Sequence, residues 1–293
     1  MGCTFTHLRE TILGHRRLSE LHPAFFHARV AQLRTERRLA DLFGGARFAR
    51  RQVDHDLAFT CKRHQSLLRR KLGDSDPRLQ ENKIVNLRIA VPCVDGLILR
   101  PGETFSFWRC VGAPVASRGF VEGLQLSQGE VRAGVGGGLC QLANLLYWMS
   151  LHTPLEMVER HHHSFDPFPD DRRTLPFGSG AGVFYNYVDL RFRNPTDRTF
   201  QLRVWLTEEH LRGRIACDRE LPSSYRIQER EHRFVRKRGR VFRTNELWRR
   251  VVDRKTGDTT ATELLMRNFA EVKYPVPQEE LDRCSRLCSR DGS

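Results

Sequence analysis

Apolar residues change their spacing along this chain, and the changes mark its zones. Near the start Phe26, Val30, Leu33, Leu39 and Leu42 recur at near-helical intervals with arginines between them, the pattern of an amphipathic helix. Gly44 and Gly45 should end it. A second helix is expected over residues 53–73 (VDHDLAFTCKRHQSLLRRKLG), closing on Arg69, Arg70 and Lys71, cations that suit a helix C-terminus. DSDPRLQ then reads as a connection. Beyond it the pattern becomes extended. ENKIVNLRIAVPCVDGLIL consists of apolar runs broken by Pro92 and Gly96, and PGETFSF is a turn, fixed by Glu103, leading into a short aromatic strand.

The apolar run LANLLYWMSLH has the composition of a buried helix, placed directly after GVGGGLCQ. LEMVERHHHSF follows as a strand and DPFPDDRRTLPFGSG as a loop. GVFYNYVDLRFRN and TFQLRVWLTEEHLRGRIAC read as successive strands joined by a hairpin turn at NPTDRT. The last zone alternates in short segments around Arg238-Gly239 and the Lys255–Asp258 turn. The expected class is α+β: a mostly antiparallel sheet packed on a central helix that starts at the GGGLC motif, with a helical N-terminal region. The expected organisation is a basic helical region over 1–80, an α+β core over 81–222, a small β-rich extension over 223–277 and a polar tail over 278–293.

Charge sharpens these boundaries. The net charge is +14, and it sits on the flanks. Residues 1–80 hold 16 Lys and Arg against 8 Asp and Glu, residues 81–222 hold 16 of each, and residues 223–293 hold 17 against 11. The arginine-rich helical faces read as solvated surface. Aromatic residues are not interleaved with them and no nucleic-acid motif appears, so nucleic acid is not an expected partner. No apolar run reaches the roughly 18–20 residues of a membrane span. Residues 1–17 lack a signal peptide's pattern, although Thr6 completes an N-terminal acylation pattern, and a cytoplasmic location is expected. The eight cysteines are too scattered for a disulfide framework. Cys284 and Cys288 would share a helix face, but nothing nearby completes a metal site. No metal or cofactor is expected.

Candidate chemistry centres on Cys140. A helix N-terminus carries a partial positive charge of about half an elementary unit, which stabilises a thiolate. The preceding glycines let a ligand approach the backbone. A buried structural cysteine beside a tight turn is the competing reading. If Cys140 is a nucleophile it needs a base. His161 and His163 would share one face of a strand, with His162 on the other. Asp189, Asp166 or Asn186 could orient the base. Asp189 interrupts an apolar strand, so it is either exposed or buried with a partner, and Glu159 with Arg160 could form an internal ion pair. Amides of Gly136, Gly137, Gly138 and Cys140 could stabilise an oxyanion.

PGETFSF (Pro101–Phe107), Val111-Gly112, Gly119-Phe120, GVGGGLCQLANLLYWMSLH (Gly134–His152), ERHHHSFD (Glu159–Asp166) and YVDLRFRN (Tyr187–Asn194) together resemble the VanW family over roughly residues 80–220. That family takes its name from an accessory protein of some vancomycin-resistance clusters. The resemblance implies a cysteine-dependent acyl-transfer enzyme, similar to L,D-transpeptidases or peptidases, acting on a peptidoglycan precursor or related peptide. Carried over by position, Cys140 would be the nucleophile, His163 the first and His161 the second choice of base. From the residues themselves, Asp189 is the candidate orienting acid, and Gly136, Gly137, Gly138, Gln141 and Arg160 are the candidate substrate contacts. Ala143 departs from the serine found in many members. A non-catalytic binding module for an anionic cell-wall precursor is the alternative.

Overall fold

The computed structural model describes residues 23–69, 76–127, 130–162, 165, 166, 169 and 175–281. The chain divides into two compact units, Met1–Gly45 and Ala46–Ser293. The first contains helix α1 (Pro23–Phe43). It stops at the expected glycine pair: the Gly44 amide donates to Ala40 O at 2.8 Å, where a Cβ on Gly44 would collide, and Gly45 takes φ +67°.

The second unit is α+β and mostly antiparallel, as expected. In chain order it runs β1 (Arg47–Phe48), β2 (Phe59–Leu67), α2 (Pro77–Ala90), β3 (Leu97–Leu99), β4 (Glu103–Ser106), α3 (Phe107–Val111), β5 (Glu122–Ser127), β6 (Glu130–Val135), α4 (Cys140–Ser150), β7 (Glu156–Glu159), β8 (Phe165–Asp166), β9 (Arg191–Arg193), β10 (Phe200–Leu206), β11 (His210–Cys217), β12 (Ser223–Lys237), β13 (Arg240–Asp253) and β14 (Thr259–Val272). The strands form sheets ordered β1-β4-β9-β7, β2-β11-β10-β3 and β12-β13-β14-β8, plus the β5-β6 pair.

Helix α4 begins at Cys140 and is the hub of the core. Leu142, Ala143, Leu146, Tyr147 and Met149 are fully buried, and the helix packs on β2 and β11. Gly213 of β11 makes that approach possible, since a Cβ there would meet Met149 Cε at 2.6 Å and Leu145 Cδ2 at 2.9 Å.

Several expectations about local structure fail. Of GVFYNYVDLRFRN, expected as a strand, only Arg191–Arg193 forms one. Residues 59–67, expected within a second helix, form strand β2. Pairing along β11 from His210↔Leu67 to Cys217↔Phe59 supplies tertiary interactions that outweigh local helix propensity. Residues 77–90, expected as connection and extended chain, form helix α2. Asp76 caps it, its carboxylate accepting from the Arg78 amide at 2.8 Å, and Pro77 opens it. Its buried face mixes Ile84, Leu87 and Ala90 with Gln80, Lys83 and Asn86, which hides the apolar periodicity. NPTDRT is a crossover between sheets rather than a hairpin, because β9 pairs with β4 and β7 while β10 pairs with β3 and β11. Asn194 organises it, donating to Leu99 O at 3.0 Å and Arg198 O at 2.7 Å.

The C-terminal zone is β-rich, as expected, but its strands are 14–15 residues long. Arg238 and Gly239, at φ +50° and +76°, make the two-residue turn between β12 and β13.

Candidate functional site

The glycines before Cys140 face their own chain. A Cβ on Gly137 would sit 2.1 Å from the Gly123 backbone of β5, one on Gly138 would sit 2.2 Å from the Lys83 stem, and one on Gly136 2.5 Å from Pro114. Asn86 of α2 locks this crossing, donating to Gly137 O at 2.9 Å and Val121 O at 3.0 Å while accepting from the Val121 amide at 2.9 Å. Gln141 turns the other way, donating to Ser66 Oγ and Leu67 O, each at 2.8 Å, with its Oε1 buried and unpartnered among the described residues. In this geometry Gly136, Gly137 and Gly138 are packing residues, and Gln141 ties α4 to β2.

The Cys140 thiol faces Val183 O at 4.0 Å. Burial pushes it above the ordinary thiol value, while backbone groups of Val183 and Cys140 itself pull the other way. At this helix N-terminus desolvation therefore outweighs the opposing backbone hydrogen bonds.

Residues 178–183 bring several expected site residues together along one face of α4. Cys140 meets Val183. Asn144, one turn on, accepts from the Ala181 amide at 2.6 Å. Tyr147 lies 5.1 Å beneath the Arg160 guanidinium. Arg160 in turn donates through Nε to Gly180 O at 2.9 Å and through Nη2 to Gly178 O. His161 pairs with the next residues, its carbonyl accepting from the Gly182 amide at 2.8 Å. Ser179 is 4% exposed and its hydroxyl has no hydrogen-bond partner among the described residues. Asn245 and Asn268 fix the outer edge of this loop by donating to Phe177 O at 2.8 and 3.4 Å.

Arg160 does not pair with Glu159, correcting that expectation. The two side chains take separate partners. Glu159 Oε1 receives His161 Nε2 and the Asp189 amide, both at 3.0 Å, and Oε2 lies 3.7 Å from Arg191. Arg160 meets backbone carbonyls and an aromatic face, with no carboxylate on it among the described residues. Burial lowers its pKa from the usual guanidinium value, with Tyr147 opposing.

Asp189 is fully buried and committed elsewhere. It accepts from Ser106 Oγ at 2.6 Å, Arg191 Nε at 2.7 Å and the Trp108 amide at 3.1 Å. Burial raises its carboxyl and these donors counteract it. Its only described link to the histidines runs through Glu159. His163 lies outside the described residues. Asp166, buried at β8, pairs with Arg243 at 3.2 Å and Tyr274 at 3.0 Å. Asn186 lies in a turn closed by reciprocal bonds between Phe184 and Val188 at 2.9 and 3.0 Å. Glu103 fixes its turn as expected, accepting from the Arg100 amide at 2.8 Å. Among the described residues no group of three His, Cys, Asp or Glu side chains could hold a metal ion, and no helix is long and apolar enough to cross a membrane.

Sequence reasoning did not anticipate Asn144, Tyr147 or Ser179. Asn144 and Tyr147 lie four and seven residues after Cys140, a helical interval that carries a signal. Ser179 carries none, because the fold of its loop brings it in.

Comparison with known proteins agrees with this layout. Residues 82–216 match the family model described as VanW like protein. The chain is 31% identical over 266 residues to the Vancomycin B-type resistance protein VanW of Enterococcus faecalis (strain ATCC 700802 / V583), covering 91% of this chain and 97% of that protein. It is 29% identical over 122 residues to Uncharacterized protein YoaR of Bacillus subtilis (strain 168), covering 41% of this chain and 38% of that one. No solved structure matches. A likeness spanning nearly the whole of one relative, with the glycine–cysteine helix and the ERHHHSFD segment inside the matched domain, places this chain in the VanW family.

Proposed function

We propose that this chain binds the anionic end of a peptidoglycan-precursor peptide, in the setting of cell-wall metabolism and glycopeptide resistance, with Arg160 as its anchor. One observation carries the reading: a partly buried guanidinium is held by two carbonyls and the Tyr147 ring, with no described carboxylate opposite it. Buried cations are ordinarily paired, and a peptide carboxylate would supply the missing charge in a bidentate geometry suited to arginine. The Ser179 hydroxyl, without a partner among the described residues, lies on the loop that Arg160 holds, and burial pushes the Cys140 thiol above its ordinary value. Calorimetric titration with a precursor pentapeptide tests this. The free-acid peptide should bind and its C-terminal amide should bind at least about tenfold more weakly, the loss of one charge-assisted contact. Equal affinity for acid and amide would refute the anchor.

The second reading is cysteine-dependent acyl transfer, and the His161–Glu159 pair favours it: Glu159 orients the ring of a histidine whose backbone joins the segment facing Cys140. His161, or His163 beside it, would take the thiol proton as Cys140 attacks a peptide carbonyl, then return it to the leaving amine as the thioester forms. Here Asp189 has a positioning role through Glu159. A Cys140 adduct in the intact mass after mixing with the pentapeptide, absent from Cys140→Ala, would establish this reading.

A further inference from the structure

The sheet β2-β11-β10-β3 has one face under α4 and a second face turned away from it. On that second face Arg63, Arg203, Trp205, Arg212 and Arg214 border a groove of about 660 Å³, within the range of about 300–1,000 Å³ typical of small-molecule sites. Strand register fixes their order. Trp205 stands opposite Arg212, Arg203 opposite Arg214, and Arg214 opposite Arg63. Direct cross-strand neighbours lie about 5 Å apart and diagonal ones about 7–8 Å, so Arg63 and Arg212 are diagonal neighbours, with Arg212 beside the indole and Arg63 two strands from it.

The charges are unevenly answered. Arg214 pairs with Asp56 at 2.6 Å, and Arg203 with Asp56 at 3.2 Å and Asp95 at 3.3 Å. Arg63 and Arg212 are exposed and have no partner among the described residues. Trp205 is 40% exposed, the one tryptophan on this face. The groove also has an end. Residues 55–57 lie over the same face, with the Leu57 amide donating to Gln201 Oε1 at 2.9 Å and Gln201 Nε2 donating to His55 O at 2.8 Å. Asp56 sets a carboxylate across the arginine row.

We propose that this face binds a nucleoside diphosphate group, its base stacked on Trp205 and its two phosphates held by Arg212 and Arg63. Two free guanidinium groups one diagonal step apart match two linked phosphates. An exposed indole opposite the first of them offers a stacking surface. The closed end and the Asp56 carboxylate favour a compact ligand over a polyanion that must run past them. The site is separate from the Arg160 loop, so either reading can fail without the other.

Titration of the full chain with UDP, uridine, pyrophosphate and a thymidine oligonucleotide decides the matter, with quenching of tryptophan emission as a second readout. UDP should bind, and uridine and pyrophosphate should each bind at least tenfold more weakly. Trp205→Ala should lose roughly tenfold in UDP affinity, the scale of one stacked base. The pair Arg63→Gln and Arg212→Gln should lose it almost entirely. These side chains are exposed and outside the core, and an unchanged melting temperature for each variant confirms that the fold survives. No UDP binding overturns the proposal. So does pyrophosphate binding as tightly as UDP, or an oligonucleotide binding more tightly, which would make the face a polyanion surface.

Discussion

Ser106 Oγ donates a 2.6 Å hydrogen bond to the carboxylate of Asp189, 83 residues further along the chain. This bond joins PGETFSF to YVDLRFRN inside the core. Arg191 and the Trp108 amide complete the shell around the same carboxylate, and Trp108 Nε1 adds a bond to Val188 O at 2.9 Å. Asp189→Asn should therefore destabilise the fold by about 2–3 kcal/mol, the scale of charge-assisted bonds lost in the interior. Peptide affinity measured on the folded fraction should not change. Urea unfolding beside calorimetric titration separates the two effects.

Gly137 is the tightest crossing near Cys140. Its missing side chain lets two backbones touch, with the Gly123 carbonyl carbon and oxygen each 2.1 Å from where a Cβ would stand. Neither backbone can yield cheaply. Gly137→Ala should cost about 3 kcal/mol or more, the upper end of overpacking penalties, and a thermal melt would register it. If the loop were an open ligand cradle, the same substitution would weaken binding and leave stability intact.

His152 sets a pH limit on the core. Its ring packs edge-on to Trp148 with centroids 4.9 Å apart, and Nδ1 lies 2.9 Å from Tyr225 O. Burial, first, and the nearby Lys62, His64 and Arg249 charges lower its pKa to about 4. An unfolded histidine titrates near about 6.5, so between the two values the unfolded chain takes up a proton that the native ring refuses. Its contribution is fully present above about pH 6.5 and falls as the pH drops toward about 4, by on the order of 3 kcal/mol. The neighbouring His64, also lowered by burial, changes stability in the same sense. Chemical denaturation at pH 7 and pH 4.5 should show the loss, and His152→Phe should reduce it.

Ser179 offers a test that separates binding from folding. Its hydroxyl is buried without a partner among the described residues, and an unsatisfied buried hydroxyl costs about 1–3 kcal/mol. Ser179→Ala should leave the free protein as stable as before or more so, yet weaken the precursor peptide by several-fold. A loss of stability without a change in affinity would show that the hydroxyl serves the loop alone.

Much of the fold was legible from local signals. The GGGLC helix start, the glycine stop of α1, the Glu103 turn and the β12–β13 turn each depend on residues close in sequence. Strand β2 was not, because its identity comes from pairing with β11, 143 positions away at the His210↔Leu67 end. Helix α2 was masked by its buried amides: Asn86 serves the glycine crossing, so a polar residue sits where an apolar one would mark the face. The site follows the same rule. Cys140, Arg160 and His161 were visible as residue types, but what unites them is residues 178–183, whose loop composition gives no hint of its path along α4. Asp189 looked available for catalysis because its partners, Ser106 and Trp108, are distant in sequence.

Mass spectrometry of the wild-type chain mixed with the precursor pentapeptide tests the central claim, measured first under native and then under denaturing conditions. The account predicts a noncovalent complex in the native spectrum, weakened by Arg160→Gln, and an unmodified chain after denaturation. A covalent peptide adduct on Cys140 that survives denaturation and disappears in Cys140→Ala would contradict it.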